Sequence, residues 1–174
     1  LKSSSSSSTE ESARTMTFDK TKTPSPDWEL DCYSRPVLVD GKKLWEVLIT
    51  DASGSFRVCE SLPSNRVNSR EVRRIVETTI EESEVKPTTI RFFRGAMFNM
   101  INIALSEIDL VSRPSRCTFT LAAWLQERHR DVYPKMAGYK SSMVESGMSV
   151  GLGGGGFLDV RTPIKLPDAL RGEK

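Results

Sequence analysis

The sequence predicts an α/β fold, with one mixed five-stranded sheet and flanking helices. Three observations carry that prediction. Period-two alternation and two glycine-containing turns mark antiparallel strands in the first half of the chain. After Val67 the apolar spacing changes to that of a helical face. From there helical and β-rich runs alternate, which calls for crossover connections and therefore parallel strands.

Both ends of the 174-residue chain differ in composition from its middle. Residues 1–27 hold eight serines, including the run Ser3–Ser8, and their apolar residues are Leu1, Ala13, Met16 and Phe18. So polar a segment buries too little surface to offset its ordering entropy, and it is read as a disordered tail. Residues 141–174 hold seven of the eleven glycines, including Gly153–Gly156. They are read as a flexible linker opening a C-terminal portion that the sequence lacks. Gly151-Leu152-Gly153 neither follows a strand nor opens a helix, so it is no dinucleotide loop. The α/β domain is placed at 28–140.

Within it, Trp28, Leu30 and Cys32 alternate with Glu29, Asp31 and Tyr33 as on a strand. Asp40-Gly41 predicts a hairpin turn joining 35–39 to 43–50, and Ser53-Gly54 a second turn into 56–62. Val72, Ile75, Val76 and Ile80 share a helical face, with Asn68 and Glu71 spaced as a capping box. Pro87 ends that helix, and 88–94 is β-rich. Met97, Ile101, Ala104, Leu105 and Ile108 mark a second helix. A strand is expected near 111–119, then a helix carrying Leu121, Trp124, Leu125 and Arg128, stopped by Pro134. The order β-β-β-α-β-α-β-α matches the ribonuclease H-like topology; a generic α+β sandwich is the alternative.

That topology raises a metal-dependent nuclease as a possible activity, since two divalent ions need carboxylates close together. Asp31 occupies the first-strand position, and Glu71 or Glu77 is available from the first helix. The fourth strand, however, ends in Phe93-Arg94-Gly95 without an acid. His129-Arg130-Asp131 lacks the surroundings of a kinase catalytic loop, and His129 is expected at the surface. Three cysteines and one histidine exclude a Cys/His zinc site, and Cys59 and Cys117 read as packing residues on strands. No catalytic residue, metal or cofactor is therefore expected. Nor is membrane insertion, because no apolar run approaches ~18 residues.

Charge is unevenly placed. Residues 71–84 carry five glutamates against Arg73 and Arg74, as a solvated helix face does. Residues 86–140 carry nine basic residues against four acids, interleaved with aromatics. Arginines grip phosphates and aromatic faces stack on unpaired bases, which is how single-stranded RNA is read. The candidate RNA-binding residues are Arg91, Phe93, Arg94, Arg113 and Arg116, followed by Arg128, Lys42 and Lys43. Strand alternation sends Arg91 and Arg94 to opposite faces, and Arg94, beside Gly95, is expected to be the exposed one.

Several ordered motifs resemble a known family. They are Trp28-Glu29-Leu30-Asp31-Cys32-Tyr33-Ser34-Arg35-Pro36 and Gly41-Lys42-Lys43-Leu44-Trp45-Glu46, then Arg91-Phe92-Phe93-Arg94 with Met97, Asn99, Met100 and Ile101. Pro114-Ser115-Arg116, Trp124-Leu125-Gln126-Glu127-Arg128 and Val132-Tyr133-Pro134 follow. Together they resemble the Tab-type chloroplast translation activators of plants, algae and cyanobacteria. The resemblance implies a non-catalytic protein of the chloroplast stroma that binds AU-rich RNA. Its implied role is to promote synthesis and assembly of photosystem reaction-centre proteins. The implied partners are single-stranded leaders of photosystem messenger RNAs and translation or assembly proteins. A protein-interaction scaffold for assembly is a further alternative.

Overall fold

The computed structural model describes residues 13–144. The expectations for the serine run and the glycine-rich linker concern residues outside that range. The strands are β1 (Arg14–Phe18), β2 (Asp27–Val39), β3 (Lys42–Asp51), β4 (Phe56–Leu62), β5 (Thr89–Phe92) and β6 (Val111–Pro114). The helices are α1 (Ser69–Glu82), α2 (Phe98–Ser106) and α3 (Phe119–Asp131), joined by short 3-10 turns. All six strands form one open mixed sheet, ordered β1-β4-β3-β2-β5-β6. β2, β3 and β4 are antiparallel neighbours, whereas β5 runs parallel to β2 and β6 parallel to β5.

Turn chemistry fixes the hairpins. Asp40 and Gly41 have φ of 49° and 75°, so both central residues take the positive values that match strand twist. At the second turn the Asp51 carboxylate accepts from the Ser55 amide at 2.7 Å and from the Ser25 amide at 2.8 Å, tying two loops together. β2 continues through Arg35-Pro36-Val37, where the pairing with β3 shifts register between Ser34 and Leu38. A proline can sit there because the ladder is interrupted.

Two differences from expectation have simple causes. The sheet has six strands rather than five. β1 lies within the segment that composition assigns to a tail, yet it pairs antiparallel with β4 from Arg14↔Glu60 to Phe18↔Phe56. Its backbone gains a ladder while only Met16 packs against the core, so composition carries little sign of it. β6 is shorter than 111–119, because Phe119 already opens α3.

Each face of the sheet has its own core. Trp28, Leu30, Val47, Ile49, Val58 and Ile90 pack with Val72, Ile75 and Val76 of α1 and Ile101, Ala104 and Leu105 of α2. On the other face, Val37 and Leu48 pack with Leu121, Trp124 and Leu125 of α3 and with Tyr133. The Asn68 side chain caps α1 by accepting from the Glu71 amide at 3.0 Å. The Glu71 carboxylate is engaged with Arg66 and Arg74. After α3 the chain returns along the free edge of β2. The Leu38 amide donates to Gly138 and the Lys140 amide donates to Pro36, both at 2.9 Å.

Candidate nucleic-acid interface

The β2–β5 ladder ends at Glu29↔Arg91, so residues 31–35 of β2 have no strand beside them on that side. The chain leaves β2 toward β3 and leaves β5 toward β6, in opposite directions across the sheet. In open α/β sheets such a switch point, beyond the carboxyl ends of parallel strands, forms a crevice suited to ligands. The 93–97 and 115–118 connections emerge there.

Across the sheet, Glu29, Arg91 and Arg113 form one row of facing residues, on the α3 side. Neighbouring strands lie ~5 Å apart, so Arg91 and Arg113 flank one another. Arg113 is exposed. Arg91 keeps a quarter of its side chain accessible and lies 3.6 Å from Asp27. Arg116, just past the end of β6, is also exposed. Glu29 is buried, and its Oε2 accepts from the Leu121 amide at 2.6 Å. The carboxylate thus fills the N-terminus of α3, where a phosphate would otherwise be favoured. Burial pushes the Glu29 carboxyl up to about 7, against the opposing effect of that amide and of Arg91.

Arg94 overturns the expectation of exposure. It is buried, with Nε donating to Asp31 Oδ1 at 2.6 Å. β5 ends at Phe92, so alternation no longer governs Arg94, which turns to the same α3 side as Arg91 and finds the Asp31 carboxylate there instead of solvent. Arg35 donates to the other Asp31 oxygen at 2.9 Å and to Glu46 at 3.1 Å. Arg128 Nη2 and the Tyr133 hydroxyl also donate to Glu46, at 2.7 and 2.5 Å. Burial would raise the Asp31 and Glu46 carboxyls, but the guanidiniums hold both below the usual carboxylate range. Arg128 is therefore a member of this network and largely buried. It is not part of the exposed row.

The remaining candidates divide. Phe93 is half-buried, on the same face as Arg91, and packs against the α3-side core. Lys42 and Lys43 are exposed at the hairpin tip, paired with the last residues of β2. That is roughly 33 Å along the strand from Glu29 at ~3.3 Å per residue. They are not brought together with Arg113 and Arg116.

The carboxylates considered for metal binding do not converge. Asp31 faces the α3 side, while Glu71 sits on α1 across the sheet, bound to Arg66 and Arg74. Glu77 is exposed on the same helix. Cys117 is exposed between β6 and α3 rather than on a strand. The Cys32 and Cys59 thiols are pushed up to about 12 by burial, as packing residues. His129 is half-buried against the Tyr133 ring at 4.9 Å, not at the surface, and burial lowers it to about 4.

Residues 27–128 match the family model described as RNA-binding protein Tab2/Atab2 N terminal. The chain belongs to this family. It is 37% identical over 150 residues to the protein TAB2 homolog, chloroplastic, of Arabidopsis thaliana. It is 35% identical over the same length to the protein of that name from Zea mays. Each alignment covers 85% of this chain, but only 38% and 36% of the respective relatives. The matched region runs from the first residue of β2 to Arg128 and so contains the arginine row and the whole carboxylate–guanidinium cluster except Tyr133.

Two features of the site escaped the sequence. Glu46 and Arg35 read as ordinary strand residues, although a buried carboxylate and a buried guanidinium on adjacent strands must find each other. Alternation puts Tyr33 on a strand and gives it no role. Its ring lies 4.1 Å from the Arg94 guanidinium carbon. The one available signal was that Asp31, Tyr33 and Arg35 share a face with Glu46.

Proposed function

We propose that this chain is the RNA-binding part of a non-catalytic chloroplast translation factor. The observation that carries the reading is the side-by-side placement of Arg91 and Arg113, with Arg116 just beyond, at the open edge of the sheet. A single strand of RNA running past β6 meets these cations in succession, with Phe93 beside them. Membership of a family described as RNA-binding supports the ligand, and the chloroplastic relatives support the compartment, which we take to be the stroma. The substrate is the AU-rich single-stranded leader of photosystem messenger RNAs. Binding there promotes synthesis and assembly of reaction-centre proteins, with translation or assembly proteins as further partners.

Three antiparallel strands followed by two parallel ones support a ribonuclease H-like topology, extended by β1 at one edge. The nuclease alternative is disfavoured by Asp31, whose two oxygens are both engaged by guanidiniums. An arginine pair there repels the divalent ions that such chemistry needs.

Titration of a photosystem leader RNA at increasing salt tests the reading. The logarithm of affinity should fall with the logarithm of salt by roughly 0.7 for each phosphate neutralised on a single strand. Absence of binding at low salt, or a slope near zero, would contradict it.

A further inference from the structure

We propose that Tyr33 and Phe93, held against the Arg94 guanidinium, form a stacking platform for one base of single-stranded RNA. The inference rests on the RNA-binding reading and adds to it a contact that discriminates bases from bare phosphates. Arg94 places its guanidinium carbon 4.1 Å from the Tyr33 ring centroid and 4.7 Å from that of Phe93. The guanidinium is itself anchored, since Nε and Nη2 both donate to the buried Asp31 carboxylate. Both rings are therefore positioned by a group that cannot swing away. The Tyr33 ring is braced further by Trp45, edge-on at 5.7 Å.

Both rings keep part of their surface in water, Phe93 while its other side packs against the α3-side core. Phe92 is 1% exposed, whereas Phe93 and Tyr33 are each only half-buried. Tyr33 belongs to neither core cluster, and its hydroxyl makes no hydrogen bond among the described residues. An aromatic ring left partly in water yet fixed in orientation offers a rigid, low-entropy surface to a planar ligand.

Its location fits the same ligand. The platform sits just beyond the last β2–β5 pair, at the carboxyl-end crevice. Phe93 lies two residues along from Arg91 on the same face, roughly 7 Å by strand geometry. An RNA strand whose phosphates follow Arg91 and Arg113 can thus turn a base onto the rings. Stacking of this kind is tolerant of sequence because every base has a π-face.

The test compares a short unstructured RNA with an abasic ribose–phosphate chain of equal length, titrated against the full chain and its variants. Wild type should bind the base-bearing RNA more tightly. Tyr33→Leu should weaken that binding by about 5- to 100-fold, leave the abasic affinity and the salt slope unchanged, and melt as a folded protein. Tyr33→Phe keeps the ring and should bind as wild type does. Phe93→Leu carries the same expectation as Tyr33→Leu and stands in for it if that variant fails to fold. Wild-type affinity in the Leu variants, or an equal loss on both ligands, would overturn the platform. The RNA-binding reading would survive that result as long as the salt slope persists. Failure of wild type to bind either chain would overturn both.

Discussion

At the residue scale, the opposing fates of Arg91 and Arg94 show what alternation decides and what it leaves open. Strand alternation would send them to opposite faces, but β5 ends at Phe92 and Arg94 turns back to the α3 side to reach Asp31. Which one meets solvent depends on Asp31, a partner 63 residues away in sequence. Local pattern carries no information about that meeting, so the sequence leads one to expect Arg94 at the surface, where the structure buries it. Glu29 makes a related point, because its role as a cap for α3 spans 92 residues. Its carboxyl is raised to about 7 by burial, from an ordinary value of 4.5. A raised acid favours folding fully below the unfolded value, and that contribution is lost as pH climbs from 4.5 through 7. His129, lowered to about 4, acts in the opposite sense, losing stability as pH falls through its range. Glu29→Gln retains an oxygen for the Leu121 amide but cannot titrate. Melting temperatures between pH 5 and 8 should therefore decline less in Glu29→Gln than in wild type. Parallel profiles would contradict the assigned environment.

At the element scale, the hairpins and helices follow from short-range chemistry. Asp40-Gly41, the Asn68 cap and the apolar face of α1 are each complete within a few residues. β1 was not legible, because its stability comes from the open edge of β4 and from Arg14 reaching Glu82 at 2.5 Å, 68 residues away. The return of the chain along β2 was equally hidden. It depends on Gly138, whose φ is +83° and where an added Cβ would lie 2.0 Å from the Leu38 carbonyl oxygen. Gly138→Ala should destabilise the fold by about 1–3 kcal/mol from backbone strain alone, with the clash in addition. The same variant should speed hydrogen exchange at the Leu38 and Lys140 amides, which bond across this seam. An unchanged denaturation midpoint with unchanged exchange would show that the segment accommodates a side chain.

At the scale of the whole molecule, one sheet separates two tasks. The α1–α2 side is mainly an apolar core, with the buried Glu60 carboxylate paired to Arg74 and Arg14 at its margin. The α3 side combines a smaller core with the buried cluster of Asp31, Arg35, Glu46, Arg94, Arg128 and Tyr133. Breaking such a cluster strands a buried charge, so the cluster fixes the geometry of the crevice it borders. The general class of the fold was legible from period and turn signals alone. The cluster was not, since its members are scattered from β2 to the turn after α3. Because guanidiniums occupy Asp31, purified protein should leave RNA intact with magnesium or manganese present. Cleavage that vanishes in Asp31→Asn would contradict the non-catalytic assignment. The central claim is that RNA follows the β5–β6 edge, and one comparison of salt slopes tests it most directly. Arg113→Ala with Arg116→Ala should flatten the slope by about one to two phosphates' worth, roughly 0.7 each, with little change in melting. Lys42→Ala with Lys43→Ala should leave it as in wild type. A slope that flattens only in the lysine pair would move the RNA site to the hairpin tip and contradict the account.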